Sequence, residues 1–517
     1  MALLIKDLII DTVNLKKNWQ HDLIALTAGK TGIPAANITA AEILSASIDS
    51  RRGSPKLLLT LKVEGDKIPD SAPEEFAAFR AAEPDIPEKT FLKHPLVIGT
   101  GPAGIFAALV LAQAGCEPVI IDRGKPVEKR TEDYQRFLSS RILDPESNLL
   151  IGEGGAGTFS DGKLYTGTRD LRAQWVKEVM VSCGAPTEIL WQKRAHTGSD
   201  HLPLIAAGLR KKIEALGGKF LFNTEVVSLH TANGVCAGVK TASGEVITAP
   251  AVLLAPGLGG RYLVRNLTGS VAWSLKPFQI GCRIEHPQEL IDRAMYHTTR
   301  PEALGAAEYH LISRRYPRHT ASFCMCPGGE VVNATAWEKR SISNGMSRFA
   351  RSEEFANSCL ICTFSPEETG SLADIDRLYE KIEMECFASG GGDYTLPAQD
   401  AAAFLRGEAG LKNRRTPTAV GIGPGRIDRI IPGELHRALA AALKDFDRRV
   451  PGFIRHGKFI GVESCVSSPV KFLRDAETLQ SSLPHLFCAG EGCGLAGGII
   501  SAACDGIRCA EKMLRLP

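Results

Sequence analysis

The sequence predicts an α/β protein: a Rossmann-type parallel sheet, an antiparallel β domain inserted into it, and a small α+β domain ahead of it. Three observations predict this. Residues 96–104 read as a buried strand running straight into G-x-G-x-x-G. Residues 486–499 repeat that design near the end of the chain, with an apolar strand, a glycine-rich turn and a helix. Between them, residues 269–430 alternate short strand-like runs with turns.

The first motif is Leu96-Val97-Ile98-Gly99-Thr100-Gly101-Pro102-Ala103-Gly104. A small-residue helix over 105–114 is closed by Gly115, and the strand 118–122 ends on Asp122. Gly99 permits the tight turn, Gly101 lets a pyrophosphate approach the backbone, and Gly104 lets helix and strand pack closely. The free N–H groups of the helix start then face the phosphates. Asp122 stands where a carboxylate accepts hydrogen bonds from a ribose. Strand, helix, strand and terminal acid in register make this a dinucleotide site.

A chain of 517 residues implies two to four domains. Hydrophobic content of 44% and charged content of 23% are those of a globular protein, and a net charge of +3 gives no reason to invoke nucleic acid. No apolar run approaches the ~20 residues that span a bilayer, and residues 1–7 do not read as a signal peptide. Fourteen cysteines without a regular framework predict reduced thiols in the cytoplasm.

In order, residues 1–92 predict an α+β domain and linker: a strand at 3–10, a helix at 19–30, strands at 43–49 and 56–63, and a short helix at 74–81. Arg51 and Arg52 fall in the hairpin turn 50–55 and read as solvated. Residues 93–268 predict the first part of the nucleotide domain. In it, the loop 152–164 has four glycines in its first six residues, too many for a stable helix or strand. Strands at 219–227, 234–240 and 251–255 follow, with no second G-x-G-x-x-G, which argues against a dedicated NAD(P) domain. Residues 269–430 predict the inserted domain, with a helix at 372–387 and a hairpin turn at 326–330. Residues 431–517 predict a helix at 433–448 and the return to the nucleotide sheet. There, Gly490-Glu491 precede a glycine turn that opens the last helix.

These stretches resemble the FAD-binding oxidoreductases of the glutathione-reductase-like superfamily. More narrowly, they resemble the bacterial FAD-dependent dehydrogenases with one nucleotide domain and an N-terminal α+β domain. The likeness is carried by 99–104, 152–164, Arg283-Ile284-Glu285-His286-Pro287, 323–329, Asn344-Gly345-Met346-Ser347, Ser467-Ser468-Pro469-Val470 and 490–505. It implies FAD as cofactor, an FAD-binding Rossmann-type domain and an antiparallel substrate domain. By it, Gly99, Gly101 and Gly104 hold the pyrophosphate, with Pro102 and Ala103 opening the helix. Asp122 takes the adenosine ribose with Arg123 beside it, and Val226 meets the adenine. Arg130 and the loop residues Thr158, Ser160, Asp161, Gly162 and Lys163 approach the phosphates and ring. Ala255 and Gly257 line the cofactor, Gly490 and Glu491 hold the ribityl chain, and Gly497, Gly498 and Ile499 line the pyrimidine edge. Two positions depart from the pattern: Glu491 stands where related branches carry Asp, and Pro256 replaces a residue with a hydroxyl.

A flavin carries the electrons while the protein orients and tunes it. Arg283, Glu285, His286, Cys324 and Cys326 are the candidate catalytic residues. Arg283 and Glu285 share a strand face by the period of two, facing substrate or forming a surface ion pair, and His286 is a proton donor or a core histidine. Cys324 and Cys326 share a face and, with Cys359 and Cys362, have metal-like spacing. Their apolar runs favour buried thiols, and no metal is expected. The expected activity is an FAD-dependent oxidoreductase, dehydrogenase or reductase, acting on a small organic molecule, with NAD(P)H as a transient reductant. Two alternatives are open. One is a dehydrogenase passing electrons to a quinone or protein carrier, against which stands the lack of a cysteine-rich run near the C-terminus. The other is an RNA-modifying flavoprotein, disfavoured by the near-neutral charge. Neither nucleic acid nor an integral membrane contact is an expected partner.

Overall fold

A computed structural model of the chain describes every residue except Asn14, Arg52 and Pro517. The turn reading of Arg52 therefore lies outside the described residues, while Arg51 folds back in a two-pronged contact on Asp49. The N-terminal domain is three antiparallel strands with Lys56–Gly65 between Ala2–Asp11 and Ile38–Asp49. Leu57, Leu59, Leu61 and Val63 alternate into its core because strand side chains alternate faces. The predicted helix starts as a tight turn at Trp19–Asp22 and becomes α-helical at Leu23–Thr31. The Trp19 ring meets Trp191 edge-on at 6.5 Å, and Ala46 exchanges backbone bonds with Trp191 and Lys193, anchoring the domain to the nucleotide domain. The expected helix at 74–81 is a 3-10 helix, Pro73–Phe79.

The nucleotide sheet has five parallel strands in the order Leu486–Cys488, Val252–Leu254, Leu96–Ile98, Val119–Ile121 and Lys219–Leu221. Its three neighbours Leu486–Cys488, Val252–Leu254 and Leu96–Ile98 are buried throughout, because helices cover one face and the antiparallel meander 226–248 packs on the other. The strand predicted at 219–227 is two: Lys219–Leu221 closes the parallel sheet, and Val226–Ala232 starts a separate antiparallel meander with Val235–Thr241 and Val246–Thr248. On one face, helices Pro102–Gln113 and Ile499–Met513 pack with bare backbone in contact, since a Cβ at Gly506 would lie 1.9 Å from the Ala103 carbonyl oxygen. A Cβ at Gly104 would lie equally close, 1.9 Å, to Gly99 O. The two glycine-opened helices therefore start side by side.

The inserted domain is a seven-stranded sheet ordered Ile312–Ser313, Thr320–Cys326, Phe355–Phe364, Phe278–Pro287, Lys458–Glu463, Leu396–Asp400 and Ile422–Pro424. Only its last pair is parallel. Helices Leu372–Ser389 and Gly433–Arg449 cover it, with Ile375, Tyr379, Leu435, Leu439 and Phe446 in one core with Phe278 and Phe459. Two sequence readings are corrected here. The return to the nucleotide domain does not begin at 431, because Gly433–Arg449 and Lys458–Glu463 belong to the inserted domain; the chain crosses back after Glu463. Nor is 326–330 a hairpin turn: Thr320–Cys326 pairs with Phe355–Phe364, whereas Glu330–Asn333 pairs with Ser343–Met346 in another sheet. The strands entering and leaving the insertion, Trp273–Leu275 and Val470–Phe472, run antiparallel as one ribbon. Among the described residues no helix is long and apolar enough to cross a membrane.

The helix contact yields a direct test. Gly506→Ala forces the two helices apart and lowers unfolding free energy by about 3 kcal/mol, read by denaturant titration; an unchanged midpoint would contradict the close approach.

Candidate functional site

The C-terminal ends of the parallel strands and the inner face of the inserted sheet enclose a cavity of about 830 Å³. Gly99, Gly101, Pro102 and Ala103 line it from the first glycine opening, and Gly490, Glu491, Gly497, Gly498 and Ile499 from the last. Asp122, Arg123 and Val226 border it at the strand ends, Ala255 and Gly257 at the third strand, and Ser160, Asp161, Gly162 and Lys163 along the glycine loop. Cys324 and Cys326 line it from the inserted sheet. Most of the predicted residues thus meet around one space, though they come from segments hundreds of positions apart.

The glycines show which parts of that wall are packed and which are open. Gly99 and Gly104 are closed in by protein backbone, the nearest atoms to an added Cβ being Ala255 O at 2.3 Å and Gly99 O. Gly101 and Gly498, each capping the start of one helix, have nothing within 4 Å of an added Cβ. Gly101 has an ordinary φ of −67°, so neither local conformation nor protein packing requires glycine there. Bare backbone facing open space at two helix starts, with unpaired N–H groups and partial positive charge, suits a diphosphate and a polar ring edge. The residues present therefore fit an extended dinucleotide.

Carboxylates shape both openings. Asp122 accepts the Thr100 N–H at 2.9 Å, the Thr100 hydroxyl and the Gly124 N–H at 2.8 Å, locking the first turn to its neighbouring strand. Arg123 turns away to Glu146 and Glu225. Asp505, buried in the last helix, accepts the Gly490 N–H at 3.0 Å and pairs with Arg474 at 2.6 Å. Glu491 accepts the Ser468 N–H at 3.1 Å and lies 3.6 Å from Lys276. Ser160 bonds within its own loop, to Gly157 O and Gly162 N–H.

Residues 190–302 match the family described as FAD dependent oxidoreductase, and residues 277–465 match the FAD-dependent protein, C-terminal domain-like family. A Clostridium beijerinckii protein, described only as uncharacterized, is 36% identical over 511 residues, covering 94% of each chain. The chain belongs to the FAD-dependent oxidoreductase family. More distant likenesses include the flavin-dependent brominase Bmp2, at 13% identity with a TM-score of 0.39 over 82% of this chain and 79% of that one. Another is a geranylgeranyl bacteriochlorophyll reductase-like protein of Thermoplasma acidophilum, at 14% identity with a TM-score of 0.35 over 81% and 77%. Both are too remote to carry a function.

Within this family member, several predicted site residues stand behind the cavity wall rather than on it. Arg130 has no exposed surface; its guanidinium donates to the carbonyls of Asn148, Glu153 and Gly155 at 2.6, 2.7 and 2.8 Å. Burial pushes its pKa down to about 9, against the pull of Asp122 and Glu153. It pins the glycine loop, whose Gly154 N–H donates to Thr100 O at 3.2 Å, against the first opening. Thr158 donates to Glu153 O at 3.2 Å and likewise braces the loop from within. Gly104 packs against the Gly99 carbonyl and does not line the cavity.

The candidate catalytic strand is also corrected. Arg283 and Glu285 form no mutual or surface ion pair: both are fully buried, each with its own partner. Arg283 binds Glu463 at 2.7 Å and donates to Cys324 O, Asn357 Oδ1 and Asn344 Oδ1 at 2.8, 3.0 and 2.8 Å. Burial works against its charge, and Glu463 more than offsets that, raising its pKa. Glu285 binds Lys458 at 2.9 Å and Thr416 at 2.9 Å, with burial raising its pKa. His286 sits in the core, its ring 4.1 Å from that of Phe453 and its Nε2 2.8 Å from Phe453 O. Cys324 and Cys326 do not follow strand alternation, because the pairing slips between Phe323 and Cys326 and Cys324 adopts φ +44°, yet both reach the cavity. Cys359 and Cys362 are buried, and among the described residues no cluster suited to a metal occurs.

Glu463, His310, Gln279 and Tyr165 line the cavity unannounced by any catalytic pattern, and Asn344 and Ser467 line it with them.

Two outcomes follow from these placements. Arg130→Met strands several buried carbonyls and lowers stability by about 3 kcal/mol; Arg130→Lys fails to restore it, because one ammonium cannot span three carbonyls. Chemical denaturation of the pair checks this. His286 has its pKa depressed by burial from 6.5 to about 4, so the unfolded chain takes up a proton in that window while the native one does not. Stability from this residue is complete above 6.5 and falls by ~1.4 kcal/mol per pH unit between 6.5 and 4. His286→Phe flattens the profile there, as unfolding curves across that range would show.

Proposed function

We propose that the cavity holds one extended FAD, with the pyrophosphate at the Gly101 opening and the flavin pyrimidine edge at the Gly498 opening. A small organic substrate then occupies the face formed by the inserted sheet. The observation that carries this reading is that Gly101 and Gly498 both open, unobstructed, into the same space. When bound, the flavin supplies two-electron or one-electron transfer. The protein's own residues then divide the work. Asp122 and Val226 bound the adenosine end, and Glu491 faces the ribityl chain. Arg130 and Asp505 hold the two backbone openings in place without touching the ligand. Arg283 fixes Cys324, Asn344 and Glu463 on the substrate side, so it acts as a positioning residue.

A single pair of glycine openings serves a single dinucleotide, so NAD(P)H, where it is the reductant, binds transiently at the flavin face. All fourteen cysteines are free thiols, which supports a reducing, cytoplasmic setting.

The test is reconstitution. Purified protein takes up one equivalent of FAD with a flavin absorption band, and anaerobic mixing with NADH or NADPH sorts reductase from dehydrogenase: bleaching marks the first, and its absence marks reduction by the organic substrate. Gly101→Val folds with the stability of the wild-type apoprotein, because a Cβ there has no protein atom within 4 Å, yet retains no flavin. A variant that keeps full flavin content contradicts the assignment of the pyrophosphate turn.

A further inference from the structure

Behind the glycine loop lies a second, smaller chamber of about 40 Å³. Three helices and the loop enclose it. Ile105 and Phe106 face it from Pro102–Gln113, Met180 from Arg172–Ser182, and Ile205, Ala206 and Leu209 from Leu202–Ala215. All six are buried. A single water needs about 10–15 Å³, so the chamber admits one molecule of roughly two or three heavy atoms and nothing the size of an organic substrate.

Water is a poor occupant, because the polar side chains on the wall are engaged by the protein itself. Glu153 accepts the Val127 N–H at 2.8 Å and the Arg210 Nε–H at 2.9 Å. The Thr158 hydroxyl donates to Glu153 O at 3.2 Å, and the Thr100 hydroxyl donates to Asp122. A buried water makes about three hydrogen bonds, and these walls offer it carbon instead. Space left unfilled there forfeits dispersion contacts, which a small nonpolar molecule restores.

The chamber adjoins the large cavity. Thr100, Pro102, Gly157 and Ile499 line both. An added Cβ on Gly157 would touch Ile499 Cγ1 at 3.5 Å, so these two residues stand in contact where the spaces meet. Ile499 also lines the Gly498 opening, where the flavin reading sets the pyrimidine edge.

We propose that this chamber is a binding site for dioxygen, held beside the flavin as its electron acceptor. This rests on the flavin reading. Dioxygen has two heavy atoms, is nonpolar and needs no hydrogen bond, so it matches the chamber in size and in dryness. Passing Gly157 and Ile499, it takes two electrons and two protons from the reduced cofactor and leaves through the large cavity as hydrogen peroxide. No further reactant is needed.

The test uses xenon, a nonpolar probe that a dry chamber of this kind takes up. Crystals of the FAD-loaded protein under xenon pressure show one atom in the chamber. Dissolved xenon slows reoxidation of the reduced flavin by dioxygen and leaves reoxidation by ferricyanide unchanged. Ala206→Val fills the chamber: the xenon atom is lost, and the dioxygen rate falls severalfold while the ferricyanide rate is kept. If that variant does not fold, competition by xenon in the wild type decides alone. A wild-type chamber that stays empty under xenon overturns the site. Reduced flavin that dioxygen fails to reoxidise, or whose dioxygen rate xenon leaves untouched, overturns the assignment to dioxygen. The walls are protein atoms only, so the apoprotein binds xenon too; protein that does so and still refuses FAD fails the earlier reading instead.

Discussion

The structure depends on one backbone-on-backbone contact, between Gly506 of the last helix and Ala103 of the first nucleotide helix. No side chain fits between them. Each helix follows a strand of the same parallel sheet, so both begin at the same edge of it, and the close contact sets them side by side there. The N-terminal dipoles and free N–H groups of both then point into a common space. Other features of the cavity add to that arrangement: Asp122 ties the first turn to the adjacent strand, Asp505 ties the second, and Arg130 pins the glycine loop against the first.

The inserted domain is positioned by the same logic of few, strong constraints. Its chain enters and leaves through one antiparallel ribbon, Trp273–Leu275 against Val470–Phe472, and it presents one strand of buried charge. Arg283 and Glu285 are the buried charged groups of that strand, and each is neutralised by a different residue of the neighbouring strand, Glu463 and Lys458. Removing either partner leaves a buried charge behind, so these pairs specify how the two strands align. Their consequence for the cavity is indirect: Arg283 orients the amide of Asn344 and the carbonyl of Cys324.

The nucleotide half was legible because its signals are local. Gly99, Gly101, Gly104 and Asp122 lie within one strand–helix–strand unit, and Gly490 to Ile499 within another, so spacing alone places the turns, the helix starts and the strand-end carboxylate. The substrate half was not, because its geometry is made between segments. That Arg283 and Glu285 pair across strands rather than with each other depends on the register with Lys458–Glu463, which period-two alternation cannot give. His286 read equally as a proton donor or a core histidine, because histidine titrates near neutrality, and the adjacent Phe453 encloses it in the core. The domain end was misplaced for a related reason: Gly433–Arg449 is an amphipathic helix that would suit either sheet, and only tertiary packing decides which. Arg130 misled in the opposite sense, since an arginine near a phosphate loop reads as a ligand until its guanidinium is seen holding carbonyls.

Backbone hydrogen exchange across the two openings, measured as FAD is added, tests the central claim most directly. The account predicts that the amides of Gly101, Ala103 and Gly104 and those at 498–501 gain protection together, saturating at one FAD per chain. Protection of one opening alone, or saturation at two equivalents, would contradict it.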